Sequence, residues 1–211
     1  MSVQEAIRAR RTIKDYRPDP VPRDLVRLVL DAAAWAPNHH LTAPWRFVIL
    51  EGVSRLPLAE LRRALKRREL QEKRLPADQI EAEAADSGAK LLRAPNLIVV
   101  ACQQAGDVIR REEDYSATAA AIQNMLLAAT ELGLGTFWTS GPIAVAPETN
   151  ALLGLDQTDR IVGIIHLGFP VEVLPGGHRP PPVARWVDAR EVPKLIARID
   201  GLVGGNGTSS A

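Results

Sequence analysis

The run Leu97-Ile98-Val99-Val100-Ala101 is apolar at every position, with no alternation between a wet side and a dry one. A strand that reads this way needs cover on both faces, so the chain must bring helices to two sides of a sheet. Tyr115 to Leu132 is the strongest candidate: it is small or apolar on nearly every side, with Asp114 placed as an N-cap and Gly133 at its stop. One protomer would struggle to cover such a helix all round, which points to a dimer interface. Arg23 to Trp35 predicts a second helix, through Leu25, Leu28, Val29, Ala32 and Ala33, ended at Pro37. Its alanines allow another backbone to approach closely.

Further strands are expected at Trp45–Glu51, from Gly135 onward, and at Arg160–Gly168, with a short helix at Pro147–Leu153 closed by Gly154. Ser54 to Lys66 has a helical pattern, whereas Arg67 to Ser87 is charged and weakly periodic and reads as a surface excursion. Pro170 to Pro182 is rich in proline and glycine and is expected to run extended over a surface. Beyond it, Ala184–Asp188 suits an edge strand, Pro193–Ile199 a terminal helix, and Gly201–Ala211 a disordered tail. No internal repeat and no dividing linker stands out, so residues 1–200 read as one domain, an α+β or α/β sandwich.

Charge narrows the function. The 26 basic and 25 acidic residues leave a net charge of +1, without the global field of a nucleic-acid or membrane-surface binder, so anion recognition must be local. The lone cysteine, Cys102, lies in an apolar run and reads as a buried thiol. No apolar run is long enough to span a bilayer and no signal-peptide core precedes the first helix, which makes a cytoplasmic location the expectation. His39, His40, His166 and His178 lack ligand spacing for a metal; there is no nucleophile elbow, Walker loop or Gly-x-Gly-x-x-Gly turn. The chemistry must be borrowed from a cofactor.

The local anion site is the segment Ala9 to Arg17. Ser2 and Glu5 form a capping box for a short helix that leads into it, and Arg10, Arg11, Lys14 and Arg17 lie within eight residues, joined by the Thr12 hydroxyl. Such a turn can hold a phosphate, or it can be an ordinary solvated basic face. Asn38 to Ala43, a polar loop between a buried helix and a strand, is well placed for a binding site.

Taken in order, these pieces resemble the nitroreductase family of flavin mononucleotide (FMN) enzymes. Arg10-Arg11-Thr12 is similar to the family's Arg-Arg-Ser phosphate motif. Ala36-Pro37-Asn38-His39 through Pro44-Trp45-Arg46-Phe47 resembles its Ala-Pro-Ser…Gln-Pro-Trp-x-Phe signature, Ala128 to Trp138 its A-x-x-x-G-L-G-x-x-W segment, and Ile161 to Pro170 its strand ending in Gly-x-Pro. The resemblance implies an α+β three-layer sandwich with a mostly antiparallel sheet, built as an intertwined homodimer with FMN at the interface. It further implies that Arg10 and Thr12 bind the phosphate, with Arg11 beside them and Arg179 a further candidate; Lys14, from the same basic turn, joins the expected cofactor-binding set. Asn38 and His39 would reach the flavin from the partner subunit, and Trp138, Thr139 and Ser140 would lie along the ring or ribityl chain. NADH or NADPH would be the electron donor, and a nitroaromatic, quinone or similar small molecule the acceptor, with ping-pong hydride transfer.

The chain departs from the family pattern at Ala43, where an amide is usual, which shifts weight to Thr42 or backbone groups. Trp35 stands where a relative can have a basic cofactor contact, so its indole would wall the pocket. Trp45 is expected in the core, Trp186 in the core or on a strand added to the partner's sheet, and His166 in a buried strand. Two other readings remain: the same fold with oxygen activation, flavin fragmentation or dehydrogenation, and a nonredox module that binds a nucleotide or nucleic acid.

Overall fold

A computed structural model describes residues 1–175 and 177–203. The chain divides into two compact units, Met1–Gly177 and His178–Ala211. The first holds a four-stranded, wholly antiparallel sheet of β1 (Trp45–Glu51), β2 (Asn96–Cys102), β3 (Gly135–Thr139) and β4 (Arg160–Gly168), in the order β1-β2-β4-β3. Every residue of β2 is buried, as its unbroken apolar run requires. In register, Val99 faces Val48 on β1 and Ile164 on β4, while Trp138 faces Ile165 across the β3–β4 ladder.

Helices cover both faces of this sheet. On one lie α1 (Val3–Ala9), α2 (Arg23–Ala34) and α5 (Val108–Glu131); on the other lie α3 (Leu56–Glu72) and α4 (Ala77–Leu92), with the short α6 (Pro142–Val145) and α7 (Pro147–Leu153) beside them. Each face has its own core. Val29, Ala33, Ile122 and Met125 pack on Ile98, Val100, Ile165 and Leu167 on the first, and Leu58, Leu65 and Leu91 pack on Leu97, Val99 and Ile164 on the second. This is the three-layer α+β arrangement. Trp45 is a core residue, and Cys102 is a buried thiol whose pKa burial pushes up.

Several boundaries differ from the sequence expectation. The central helix starts seven residues before the expected position, with Asp107 as its N-cap accepting from the Arg110 amide at 2.9 Å. Asp114 is therefore inside the helix, only 3% exposed, where it accepts the Thr42 hydroxyl at 2.6 Å. The stretch 108–113 hides from periodicity because it has no buried face: residues 108–112 are all exposed, Arg110, Arg111 and Glu112 among them. Similarly, the excursion over 67–87 is mostly regular helix: α3 and α4 form a hairpin joined by a short turn at residues 73–76. Only a narrow stripe of each helix is buried, and Glu81 of α4 bridges to Arg67 at 2.6 Å and Arg63 at 3.3 Å on α3. Gly88 lets the two helices close up, since a Cβ there would meet the Ala59 carbonyl oxygen at 2.9 Å.

The second unit, taken by itself, contains a 3-10 turn at Ala189–Glu191 and α8 (Val192–Val203). The edge strand expected over 184–188 does not form. Asp188 caps the turn that follows, accepting from the Arg190 amide at 2.8 Å, so the chain coils into the 3-10 turn directly after this stretch. Trp186, one of whose expected places is a core, is 90% exposed. Residues 201–203 continue α8, and the rest of the expected tail, 204–211, lies outside the described residues. Among the described residues no helix is long and apolar enough to cross a membrane.

Candidate functional site

The basic segment after α1 is stitched to the end of the sheet. The capping box starts the helix, with Ser2 N donating to Glu5 Oε2 at 2.7 Å and Glu5 N to Ser2 Oγ at 3.2 Å. After Arg10 the chain turns extended: Thr12 bridges Thr136, the Ile13 amide donates to the Thr136 carbonyl at 2.9 Å, and Arg17 and Val171 exchange backbone bonds with Phe169 and Asp15. Arg11 Nε adds a bond to the Pro175 carbonyl at 2.9 Å, and the half-buried Tyr16 hydroxyl donates to the Ile13 carbonyl at 2.6 Å. The phenol is held well above its ordinary pKa by burial, and Asp15 adds to that, so it stays a donor. These bonds fix the path of the segment that carries Arg10, Thr12 and Lys14 alongside β3.

Next to it opens a cavity of about 570 Å³ between β3–β4 and the α3–α4 hairpin, a volume within the range of small-molecule and cofactor sites. Phe137, Thr139 and His166 form its floor, because alternate residues of β3 point to this face and pair with β4 in register. Lys14 and Ser140 stand at its margin, with Lys14 Nζ 5.5 Å from the Phe137 ring centroid. Arg62 and Lys66 come from α3, and Glu83, Asp86 and Lys90 from α4, with Arg93 just beyond that helix. His166 is 3% exposed, and burial drops its pKa to about 4, so the ring is neutral. The Thr139 hydroxyl is within 3.1 Å of the Ile164 carbonyl, to which it donates, and 3.4 Å from His166 Nε2. With its one proton committed, Thr139 meets His166 as an acceptor, which assigns the ring proton to Nε2.

The family model described as Nitroreductase family matches residues 7–169 of this chain. The chain belongs to the nitroreductase family. It is 32% identical over 171 residues to YfhC of Bacillus subtilis (strain 168), carried under the name of an NAD(P)H nitroreductase, across 81% of this chain and 85% of that one. Among solved structures, a nitroreductase-like family protein from Bacillus cereus matches with a TM-score of 0.74 and 31% identity, covering 86% of this chain and 92% of its own. A protein from Desulfovibrio desulfuricans solved in complex with FMN matches with a TM-score of 0.66 and 28% identity, covering 85% and 92%.

In this nitroreductase-family chain the site residues expected from sequence fall into separate places. Lys14, Thr139 and Ser140 meet in the cavity described above. Arg10, Arg11 and Thr12 lie on the stitched segment that leads to Lys14, with Arg11 committed to the Pro175 and Arg10 carbonyls. Trp138 lies on the opposite face of β3, its Nε1 donating to the Val162 carbonyl at 3.3 Å and its ring over Gly163, where a Cβ would collide with the indole. Trp35, 87% exposed, borders a shallow depression with Val3, Asn124 and Leu127.

Asn38 and His39 line a different cavity, against Val108, Ile109, Glu112 and Glu113 at the start of α5. Their loop is held in a demanding backbone path, with His40, Leu41 and Ala43 all at positive φ (56°, 53° and 42°). Asn38 Oδ1 accepts from the Ala43 amide at 2.9 Å, and His39 Nδ1 lies 2.8 Å from Glu113 Oε2. The Thr42 hydroxyl, to which the missing amide at Ala43 shifted weight, is given to Asp114 instead. Arg179 belongs to the second unit, where its Nη1 donates to the His178 carbonyl at 3.1 Å.

The cavity residues that sequence reasoning missed are those of the hairpin: Arg62, Lys66, Glu83, Asp86, Lys90 and Arg93, together with His166. A signal was present, since Arg62 and Lys66 are four residues apart on a helix and so share a face.

Proposed function

We propose that the cavity between β3 and the α3–α4 hairpin is the FMN site of an NAD(P)H-dependent oxidoreductase. The observation that carries this is the meeting of Lys14, Thr139 and Ser140 in one cavity, at the end of a segment bearing Arg10 and Thr12. The donor set fits the group: cationic and hydroxyl groups suit a phosphate and a polar ring edge, and the Phe137 and His166 rings of the floor, tilted 35° to each other, offer aromatic surface to a planar ring. The solved relative from Desulfovibrio desulfuricans, in complex with FMN, supports the same reading.

When bound, FMN supplies hydride chemistry. The protein supplies the rest. Arg10 and Thr12 would hold the phosphate, held in place by the backbone bonds to Thr136 and Phe169. Lys14 brings a fixed positive charge to the edge of the ring that becomes electron-rich on reduction, and Ser140 adds a hydrogen-bonding group there. Phe137 and the neutral His166 exclude water from beneath the site. NADH or NADPH and the electron-poor acceptor would then take turns beside the bound cofactor, giving ping-pong kinetics; nitroaromatics and quinones are the acceptors to try.

The reading includes a homodimer in which Asn38 and His39 complete the partner subunit's site. Supporting it, both residues lie outside their own chain's proposed FMN cavity, and Val108 and Ile109 leave apolar surface exposed beside them.

The test is an absorption spectrum of the purified protein, followed by anaerobic reduction with NADH and NADPH and reoxidation by a nitroaromatic. A flavin spectrum bleached by the nicotinamide and restored by the acceptor is expected. A protein that neither carries nor takes up FMN would overturn the proposal.

A further inference from the structure

Helix α3 carries five cationic side chains, and four of them are matched to carboxylates. Arg63 Nη2 lies 3.3 Å from Glu81, Lys66 Nζ 3.2 Å from Glu69, Arg67 Nε 2.6 Å from Glu81, and Arg68 Nη1 2.9 Å from Glu148. Arg62 is the exception: among the described residues no carboxylate lies within ion-pair distance of it and no hydrogen-bond partner is present. It is also half-buried, and it faces the cavity.

The sequence around Arg62 withholds a counter-charge. The neighbours that share its side of the helix are Leu58, Ala59, Leu65 and Lys66, three apolar and one of like charge. Across the cavity, Asp86 is taken by Lys90 at 2.6 Å, and Glu83 accepts the Gln79 amide at 2.9 Å. Five cations line this cavity (Lys14, Arg62, Lys66, Lys90 and Arg93) against two carboxylates (Glu83 and Asp86). A half-buried guanidinium without a partner loses hydration and gains nothing in return until an anion arrives, and its planar fork suits a carboxylate or phosphate.

We infer that Arg62 selects an anionic reaction partner: it takes the carboxylate or phosphate of the molecule that docks in the cavity to give or receive electrons. The inference rests on the FMN reading above and deepens it by assigning the charge of the substrate. The anion can be carried by the acceptor, as a carboxylate on an electron-poor ring, or by the donor, as the additional phosphate that distinguishes NADPH from NADH.

The test uses the FMN-loaded protein and its Arg62→Gln and Arg62→Lys variants, with rates followed by stopped-flow absorbance. In the oxidative half-reaction the probes are para-nitrobenzoate and para-nitrobenzamide, which share ring and nitro group and differ in charge. In the reductive half-reaction they are NADPH and NADH. The wild type is expected to favour the more anionic member of one pair. Arg62→Gln should shrink that preference by about tenfold to a hundredfold, with partial recovery in Arg62→Lys. A loss in the first pair assigns the anion to the acceptor, and a loss in the second assigns it to the donor. Equal losses for charged and neutral probes, or loss of flavin from Arg62→Gln, would overturn the inference, since Arg62 would then support the scaffold or hold the cofactor itself. A flavin-loaded wild type without preference in either pair overturns the role of Arg62 and leaves the oxidoreductase standing. A wild type that takes up no FMN overturns both.

Discussion

On the α2/α5 face of the sheet, Ile98, Val100, Ile165 and Leu167 meet Val29, Ala33, Ile122 and Met125, and even the Trp138 indole lies down against Gly163. On the α3/α4 face the apolar cover of Leu58, Leu65 and Leu91 reaches Leu97, Val99 and Ile164, then stops short of β3, where Phe137, Thr139 and His166 floor a charged cavity. The same strands thus have a closed side and an open side. Apolar alternation is spent on closure, and the candidate site lies where the hairpin's apolar stripe runs out and its cations begin.

The comparison breaks most directly on the closed side. Ile165→Ala leaves a void between α5 and the sheet and should cost about 2–5 kcal/mol, read as a lower urea midpoint with an unchanged slope. A loss below about 1 kcal/mol would mean that this face can collapse around the gap and is less tightly packed than the open one.

The open side should show itself through pH. Burial holds His166 down to about 4 from an ordinary 6.5, so between those values the unfolded chain takes up a proton that the folded one refuses. This contribution is intact above 6.5 and is lost as pH falls toward 4, amounting to about 3 kcal/mol over the whole interval. Urea unfolding of wild type and His166→Gln across that window tests it: the variant should lack this part of the slope. Parallel curves would assign acid sensitivity elsewhere.

A smaller effect is expected at Gly163→Ala. The added methyl must displace the Trp138 indole, for about 1–3 kcal/mol and a shift in tryptophan emission. An unchanged spectrum would show that the indole is not seated on Gly163.

The closed side was the more legible in the sequence, for a physical reason. Helix α2 buries Val26, Val29 and Ala33 at helical spacing and is stopped by Pro37, and β4 is an unbroken buried run from Ile161 to Gly168, so the limits of both follow from pattern. The hairpin buries only a narrow stripe and holds its faces together with Glu81 and two arginines, and ion pairs leave no period to read. Asp114 misled because an aspartate before an apolar run resembles a cap, while its real partner, Thr42, is 72 residues away. Of the residues lining the candidate cavity, Lys14 was singled out by the basic turn, and Thr139 and Ser140 by motif resemblance. Trp138, next to them in sequence, points to the other face because strand side chains alternate, a fact that needs the register as well as the motif. Arg62 could be grouped with Lys66 on one helix face from their spacing, but nothing in a run of cations says which one will lack a carboxylate.

The smallest expected change in stability comes from Lys14→Ala, and it tests the open side in its own terms. Lys14 is exposed, and its one described contact is the approach of Nζ to the Phe137 ring, worth less than about 1 kcal/mol at a wet site. The apo variant should therefore unfold almost where the apo wild type does. Its affinity for FMN should nonetheless fall by about tenfold or more, because a charge-assisted contact to the cofactor would be gone. Parallel titrations of both apo proteins with FMN, followed by flavin fluorescence, give the comparison. A large drop in stability would place Lys14 in the scaffold, while unchanged stability with unchanged affinity would move the cofactor's charged edge away from β3 and toward the hairpin.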